Sequence, residues 1–317
     1  MHLSVIIPVF NEEANIPPLH AELHGVMERT GRAYEILFID DGSTDGSFSV
    51  LKEVAHANPA TRVIRFRRRF GQTAALSAGI DHARGEIIIT MDADLQNDPA
   101  DIPALLAKLE QGFDIVSGWR VRRKDPFLNR RLPSILANRL ISKLSGIRLH
   151  DYGCTLKAYK AGVLKSIRLY GEMHRFIPAL ASWLGVEVAE VQVNHRPRIH
   201  GKSKYDLTRV VRVVLDLINV KFLLTYSTRP IQVFGFFGVG AFGLALVGLI
   251  ITALLRLRGV DITGNPLFLI SIMLLLMGMQ FVTMGLLGEI SIRTYHETQD
   301  KRIYVIRETV NSPGGEA

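Results

Sequence analysis

Two long stretches without a charged side chain limit this chain more than any other feature. Ile231–Leu255 spans 25 residues and Pro266–Gly288 spans 23, and neither holds Asp, Glu, Lys or Arg. A hydrocarbon core of about 30 Å needs about 20 helical residues, so either run can cross a bilayer. At these lengths a pair of buried core helices is the weaker reading. The link Arg256–Asn265 is short, which predicts a hairpin with both flanks on one side. Arg229 precedes the first run, and Arg293, Lys301, Arg302 and Arg307 follow the second. The link carries only Arg256 and Arg258 against Asp261. The positive-inside tendency therefore places both termini in the cytoplasm.

The runs divide the chain into residues 1–226, a hairpin region 227–290 with spans 231–255 and 266–288, and a cytoplasmic tail 291–317. Of 317 residues, 48% are hydrophobic, and the excess sits in the two spans. The formal net charge of +8 suits an anionic partner. With spans in the same chain, lipid and phosphate are favoured and nucleic acid is set aside. A single cysteine, Cys154, excludes an intrachain disulfide. Met1 and His2 lead straight into Leu3–Phe10 without a basic segment or small-residue cleavage site, so no secretory signal is expected. Gly238-Val-Gly240-Ala-Phe-Gly243 imitates a dinucleotide-binding turn but lies inside a span. Gly238, Ala241, Ala245 and Gly248 instead predict a small-residue face for helix packing.

The amino-terminal region alternates strand-like and helix-like segments. Leu3–Phe10, Ile36–Ile39, Arg62–Phe66 and Ile87–Met91 read as buried strands. Glu13–Arg29, Thr44–Ala57 and Gln72–Ala83 read as helices between them. This predicts an α/β domain with a mostly parallel sheet. Three of the strands run into acidic clusters: Asn11-Glu12-Glu13, Asp40-Asp41-Gly42-Ser43-Thr44-Asp45 and Asp92-Ala93-Asp94-Leu95-Gln96. Ligands of open α/β sheets bind beyond the carboxyl ends of strands, so three such clusters predict one shared site. Helix capping alone accounts for Ser43-Thr44-Asp45 about as well. Asp92 and Asp94, two apart on extended chain, can present both carboxylates to one cation, with Gln96 adding an amide oxygen. Mg²⁺ or Mn²⁺ is expected, since such ions combine few protein carboxylates with substrate phosphates.

These residues resemble glycosyltransferase family 2, with its GT-A fold, through Pro8-Val-Phe-Asn-Glu-Glu13, Asp40-Asp-Gly-Ser-Thr-Asp45 and Asp92-Ala-Asp-Leu-Gln96. Phe70-Gly-Gln-Thr-Ala-Ala-Leu76, His150-Asp-Tyr-Gly-Cys-Thr-Leu-Lys157, His200-Gly-Lys-Ser-Lys-Tyr205 and the spans narrow the likeness to the polyprenyl-phosphate glycosyltransferases. Bactoprenol glucosyl transferases and dolichol-phosphate mannose synthases belong to that group, and the bactoprenol branch fits best. The resemblance implies that Pro8, Phe10 and Glu12 line a nucleotide pocket, with Asp40 or Asp41 reading the base. It implies that Asp92, Asp94 and Gln96 hold a metal against the donor diphosphate. Neither Trp119 nor Trp183 lies in the Gln-x-x-Arg-Trp signature of processive members, which implies single transfer. A UDP-sugar is the implied donor, with UDP-glucose first, and undecaprenyl phosphate at the bacterial inner membrane the implied acceptor.

Both substrates would be anionic, and arginine binds phosphate through a planar fork. Arg120, Arg131, Arg198 and Lys202 are the expected phosphate ligands. Arg67-Arg68-Arg69 could also approach the donor, and reads equally as a solvated run. Two basic amphipathic helices, Leu128–Gly146 and Leu207–Leu224, read as lying at the headgroup level or, alternatively, as packing on the sheet. A phosphate monoester, with a second pKa of about 6, is mostly ionised at neutral pH and needs orientation more than a base. Asp151 is nonetheless the best carboxylate for a base or for positioning a sugar; Glu172, His174 and Arg175 form a weaker group for contacting it. The expected chemistry is an inverting displacement. The rivals are a non-catalytic scaffold and a transferase acting on a protein or glycan. Ile303–Ile306 has strand character and could add to a neighbouring chain, making a homo-oligomer, or pack on its own domain. Thr309–Ala317 reads as disordered.

Overall fold

The computed structural model describes residues 2–121, 142, 146–169, 173–181, 184–197, 230–259, 265–298 and 303–311. The amphipathic helices expected at 128–146 and 207–224 fall outside them almost entirely, as do Arg131, Glu172, Trp183, Arg198 and Lys202. The chain divides into two compact units, Met1–Val220 with Arg302–Ala317, and Lys221–Lys301.

The first unit is built on a mixed, mostly parallel sheet. Its strands are β1 (Leu3–Val9), β2 (Tyr34–Asp40), β3 (Thr61–Phe66), β4 (Ile87–Thr90), β5 (Ile115–Trp119), β6 (Lys157–Lys160), β7 (Val188–Gln192) and β8 (Ile306–Val310). Their spatial order is β7-β5-β6-β4-β1-β2-β3-β8. In β1 through β4 almost every side chain is buried, because the strands are covered on both faces and so carry apolar runs without alternation. Helices α1 (Ile16–Arg29), α2 (Ser47–Ala57) and α3 (Gln72–His82) connect the first four strands, and α4 (Ile102–Leu109) leads to β5. In α1, Ile16, Leu19, Leu23, Val26 and Met27 form the buried stripe, and prolines in its first turn suit positions that have no helical donor duty. Short helices α5 (Ala161–Lys165) and α6 (Ile177–Ala181) follow β6.

The order places a topological switch beside β1. The chain winds outward through β2 and β3, then α3 crosses back so that β4 lies on the other side of β1. Helix α3 lies close to β1: a Cβ on Gly79 would collide with the Ile6 side chain. β6 is antiparallel to β4, with Thr90 opposite Lys157. An antiparallel strand brings the residues before its start to the carboxyl end of its neighbour. This register is what delivers 151–156 to the acidic end of β4. β5 and β7, parallel to each other, end at the same edge.

β6 and β7 are absent from the sequence reading. β6 is four residues with lysine at each end, and β7 places Glu190 amid small apolar residues, so neither shows an uninterrupted apolar run. The tail reading needs correction. The strand is Ile306–Val310, displaced from the expected 303–306, and it pairs antiparallel with β3 of its own sheet. Thr309 and Val310 are ordered within it, and the Asn311 side chain donates to Ala55 O (2.5 Å) and Thr61 O (2.9 Å). The tail strand thus packs on its own domain, the second of the two readings, and fills the edge of β3 from within.

The second unit consists of α7 (Pro230–Leu257) and α8 (Pro266–Thr298). Phe234–Leu257 and Pro266–Gly288 have mean hydropathies of 2.3 and 2.2, yet only 28% and 11% of their most apolar windows are buried, which argues against core helices. Apolar side chains left outward at this density call for a lipid environment. The false dinucleotide motif is resolved as packing. Ala241 and Ala245 are buried, and a Cβ on Gly238 would press on Val282 and the Gly278 carbonyl, and one on Gly248 on Ser271. Gly240 and Gly243 face open space.

Candidate active site

The carboxyl ends of β4, β1 and β2 lie side by side, spanning about 10 Å at two strand spacings of about 4.8 Å. The loops after β1 and β2 are tied together. Asn11, held at φ 57°, takes the Thr44 amide on its side-chain oxygen (2.8 Å) and donates its own amide to Ser43 Oγ (3.0 Å). Glu12 donates its amide to Ser47 Oγ (2.9 Å), and its carboxylate accepts from Asn15 Nδ2 (2.5 Å).

The two aspartates after β2 hold protein in place. Asp40, fully buried, accepts from the Ser43 amide (2.8 Å) and lies 3.3 Å from Arg65 Nε. Asp41 accepts from the amides of Phe70 (2.6 Å) and Gly71 (2.9 Å). Burial pushes the Asp41 pKa up, against the pull of these amides and of Arg69. Gly42, at φ 68°, has no room for a Cβ against the backbone of Arg68 and Arg69. The 68–71 loop is thereby pressed onto the β2 turn. Its Arg69 guanidinium stacks 4.0 Å over the Phe10 ring, and its side chain remains 60% exposed.

Beyond β4, Asp92 lines a pocket together with Pro8, Gln72, Thr155, His174 and Arg175. Gln72 Nε2 donates to one carboxylate oxygen (2.8 Å) and Thr155 Oγ1 to the other (2.8 Å). Asp94 is nearly buried and accepts from the Gln96 amide (3.2 Å) across Leu95, whose φ is 60°. Burial first, and the Asp94 charge second, push the Asp92 pKa up to about 6, despite the Thr155 hydrogen bond and the nearby Arg120 and Arg175. Two like charges confined this way fit a hard divalent cation, which relieves their repulsion and fills its shell with phosphate oxygens. Among the described residues no third His, Cys, Asp or Glu joins them.

Asp151 and Arg120 meet as a pair. The Arg120 Nε donates to Asp151 Oδ2 (2.7 Å) and Nη2 to Oδ1 (3.1 Å), a bidentate fork with Asp151 1% exposed. Burial alone would weaken the guanidinium's hold on its proton; the Asp151 bonds and charge overcome this and strengthen it. Glu190 accepts from the Asp151 amide (3.1 Å) and pairs with His150 (2.8 Å), which stacks on Trp119. Below them Lys157 is buried and donates to the Tyr152 carbonyl (2.9 Å); burial pushes its pKa down to about 8.

The family model for glycosyl transferase family 2 matches residues 4–168, the stretch that supplies nearly all of this edge. The chain belongs to glycosyl transferase family 2. It is 42% identical to dodecaprenyl-phosphate galacturonate synthase of Rhizobium johnstonii, over 97% of this chain and 93% of that protein. It is 38% identical to undecaprenyl-phosphate 4-deoxy-4-formamido-L-arabinose transferase of Shewanella sediminis, over 96% and 92%. In fold it is similar to glucosyl-3-phosphoglycerate synthase of Mycobacterium tuberculosis, solved with Mn²⁺, uridine diphosphate and glucosyl-3-phosphoglycerate. That likeness has a TM-score of 0.56 at 19% identity, covering 70% of this chain and 79% of that one.

Within this family 2 domain, Pro8 and Asp92 line one pocket. Phe10 stands against Arg69, and Glu12 turns toward Asn15. Gln96 enters through its backbone: its amide meets Asp94, and its carbonyl accepts from the Arg196 amide (3.0 Å). Arg120, expected at a phosphate, is engaged by Asp151, and Asp151, expected as a base or positioning group, is engaged by Arg120. No sequence signal singles out Gln72 or Thr155, although they stand inside the motifs Phe70–Leu76 and His150–Lys157, and Arg69 is expected near the donor only as one of the run Arg67–Arg69. Nothing local marks Arg69 apart from Arg67 and Arg68. Only the Asp41 and Gly42 contacts select it.

Proposed function

We propose that this chain transfers one sugar from a nucleotide-diphosphate donor to a polyprenyl phosphate, with inversion, at a membrane surface. The observation that carries this reading is the Asp92–Asp94 pair beyond β4 at the switch point, with Asp92 lining one pocket with Pro8, on a domain whose relatives are named as polyprenyl-phosphate sugar transferases. Pro8, Phe10, Arg69 and the Asp41-held loop are the nucleotide wall. A divalent Mg²⁺ or Mn²⁺ held by Asp92 and Asp94 would supply charge stabilisation for the departing diphosphate. Gln72 and Thr155 fix the Asp92 carboxylate in rotation, so its geometry is set before substrate arrives.

An acceptor phosphate oxygen forms the new bond to the anomeric carbon while the bond to the donor diphosphate breaks, and the nucleoside diphosphate leaves with the electron pair. No proton has to be removed from an ionised phosphate. Asp151 accordingly orients Arg120 toward anionic substrate. Arg131, Arg198 and Lys202 are proposed to complete the phosphate contacts; Arg198 lies two residues beyond Arg196, which itself clamps Asp98 (2.8 Å) and Glu22 (2.6 Å).

The return of β8 to the catalytic sheet supports an even number of crossings, with domain and tail on one side. The flanking cations favour the cytoplasmic side. Resemblance favours UDP-glucose as donor, whereas the relatives' names carry galacturonate and 4-deoxy-4-formamido-L-arabinose. The test is incorporation of labelled sugar into a butanol-soluble product by the purified full chain, with and without undecaprenyl phosphate, with and without EDTA. UDP-glucose and UDP-galacturonate serve as separate arms. Lipid-dependent, EDTA-sensitive product is expected; product formed equally without the lipid sinks the acceptor assignment.

A further inference from the structure

The segment that follows the second apolar helix ends in an aromatic residue the reaction does not use. Tyr304 is 4% exposed, between Ile303 and Val305, which are both largely exposed. Its ring stacks on Phe66 with centroids 5.3 Å apart and planes 15° from parallel. Its hydroxyl donates to Asp81 Oδ2 at 2.8 Å, near the end of α3. Phe66 in turn meets Phe70 edge to face at 5.6 Å. Alongside this column, the Arg67 amide donates to the Val305 carbonyl (3.1 Å), where the β3–β8 register shifts by one residue. Phe70 is also the residue whose amide meets Asp41, and its neighbour Arg69 stacks on Phe10.

We infer that Tyr304 is a positioning residue for donor binding: the returning tail holds the 67–71 loop through the column Tyr304–Phe66–Phe70. This rests on the proposed nucleotide wall. The loop is gripped from two sides, by Asp41 and Gly42 at the site and by Tyr304 and Val305 behind it. Aromatic pairs resist sliding as well as separation, because their preferred geometries are specific. Releasing the rear grip leaves Arg69 on a loop tethered only at the front. A small displacement of a binding group is enough to weaken a site by an order of magnitude or more.

The experiment uses the full chain in detergent, with two readouts: hydrogen exchange of the amides of 67–71, and affinity for UDP with Mn²⁺ present. Tyr304→Ala is expected to speed exchange in 67–71 and weaken UDP binding by about tenfold, while β1 and β4 stay protected. Tyr304→Phe keeps the stack and should bind UDP within about twofold of the parent. Phe70→Leu, at the far end of the column, should reproduce the alanine defect. Glu308→Ala, which removes the β8 contact with Lys52 (3.1 Å), should not. Unchanged exchange and affinity in Tyr304→Ala overturn the inference, and so does an equal defect in Glu308→Ala. If Tyr304→Ala does not fold, Phe70→Leu decides by the same criteria. A parent protein that binds no UDP would defeat the donor reading, and the exchange data alone would then judge the column.

Discussion

At the amino-terminal ends of β1, β2 and β3, the Glu35 carboxylate is surrounded by partners: Ser4 Oγ (2.6 Å), the Arg84 amide (2.7 Å) and Arg62 Nη1 (2.6 Å). At the carboxyl end of β4, on the other side of β1, Asp92 has two neutral donors and a like-charged neighbour, Asp94. The first arrangement pulls its pKa below the ordinary range although burial alone would raise it. The second pushes its pKa up to about 6. Both carboxylates stand at ends of the same sheet, and what separates them is direct pairing: Glu35 is bonded by the Arg62 guanidinium, whereas Asp92, buried beside Asp94, feels Arg120 and Arg175 only through their charge. Direct pairing at one end fixes the fold, while a buried carboxylate pressed against Asp94 at the other is what a cation and its phosphates can complete.

The largest test of that contrast is Asp92→Asn. It should lower transfer by on the order of 10³-fold or more, about 4 kcal/mol, while the melting temperature stays level or rises, because one of two repelling charges is gone. A loss of stability matching the loss of activity would break the comparison. Glu35→Ala should do the reverse. It strands buried Arg62 and should destabilise the domain by about 3 kcal/mol or more, with UDP affinity of the folded fraction unchanged. The pH limb follows from the sign of the shift. A depressed folded pKa means that Glu35 contributes fully above the usual glutamate range, and that this is lost as the pH falls through its lowered value. Melting curves from pH 7 to pH 3 should therefore show a shallower acid limb in the variant.

Asp151 sharpens the contrast, because it stands at the active end and yet is balanced, like Glu35. If balance marks a structural role wherever it occurs, Asp151→Asn should lower turnover by about tenfold, through a loosened Arg120. Loss of a general base can reach 10⁴-fold. The pH profile of turnover in the variant should keep its shape, and a lost ionisation on the acid side would restore the base.

The sequence carries the central sheet well, because β1 to β4 are buried on both faces and leave apolar runs that end in acid. The carboxylates of the site are legible for the same reason. What holds them is less so. Gln72 reaches Asp92 only because α3 crosses the switch point, and Thr155 only because β6 runs antiparallel to β4; both are facts of topology. Arg120 and Asp151 were each read as facing substrate, since 31 residues separate them and no local pattern announces their fork. Arg69 is one of three consecutive arginines until Asp41 and Gly42 fix its loop.

The eighth strand has a consequence for biogenesis. β8 is encoded after both apolar helices, yet it fills the edge of β3, and Tyr304 just before it packs on Phe66. During synthesis the first seven strands emerge before the spans, and the domain must wait with one edge unpaired until the hairpin has been made. Exposed strand edges invite wrong partners. A chain halted before the second apolar helix would therefore be left without its last strand.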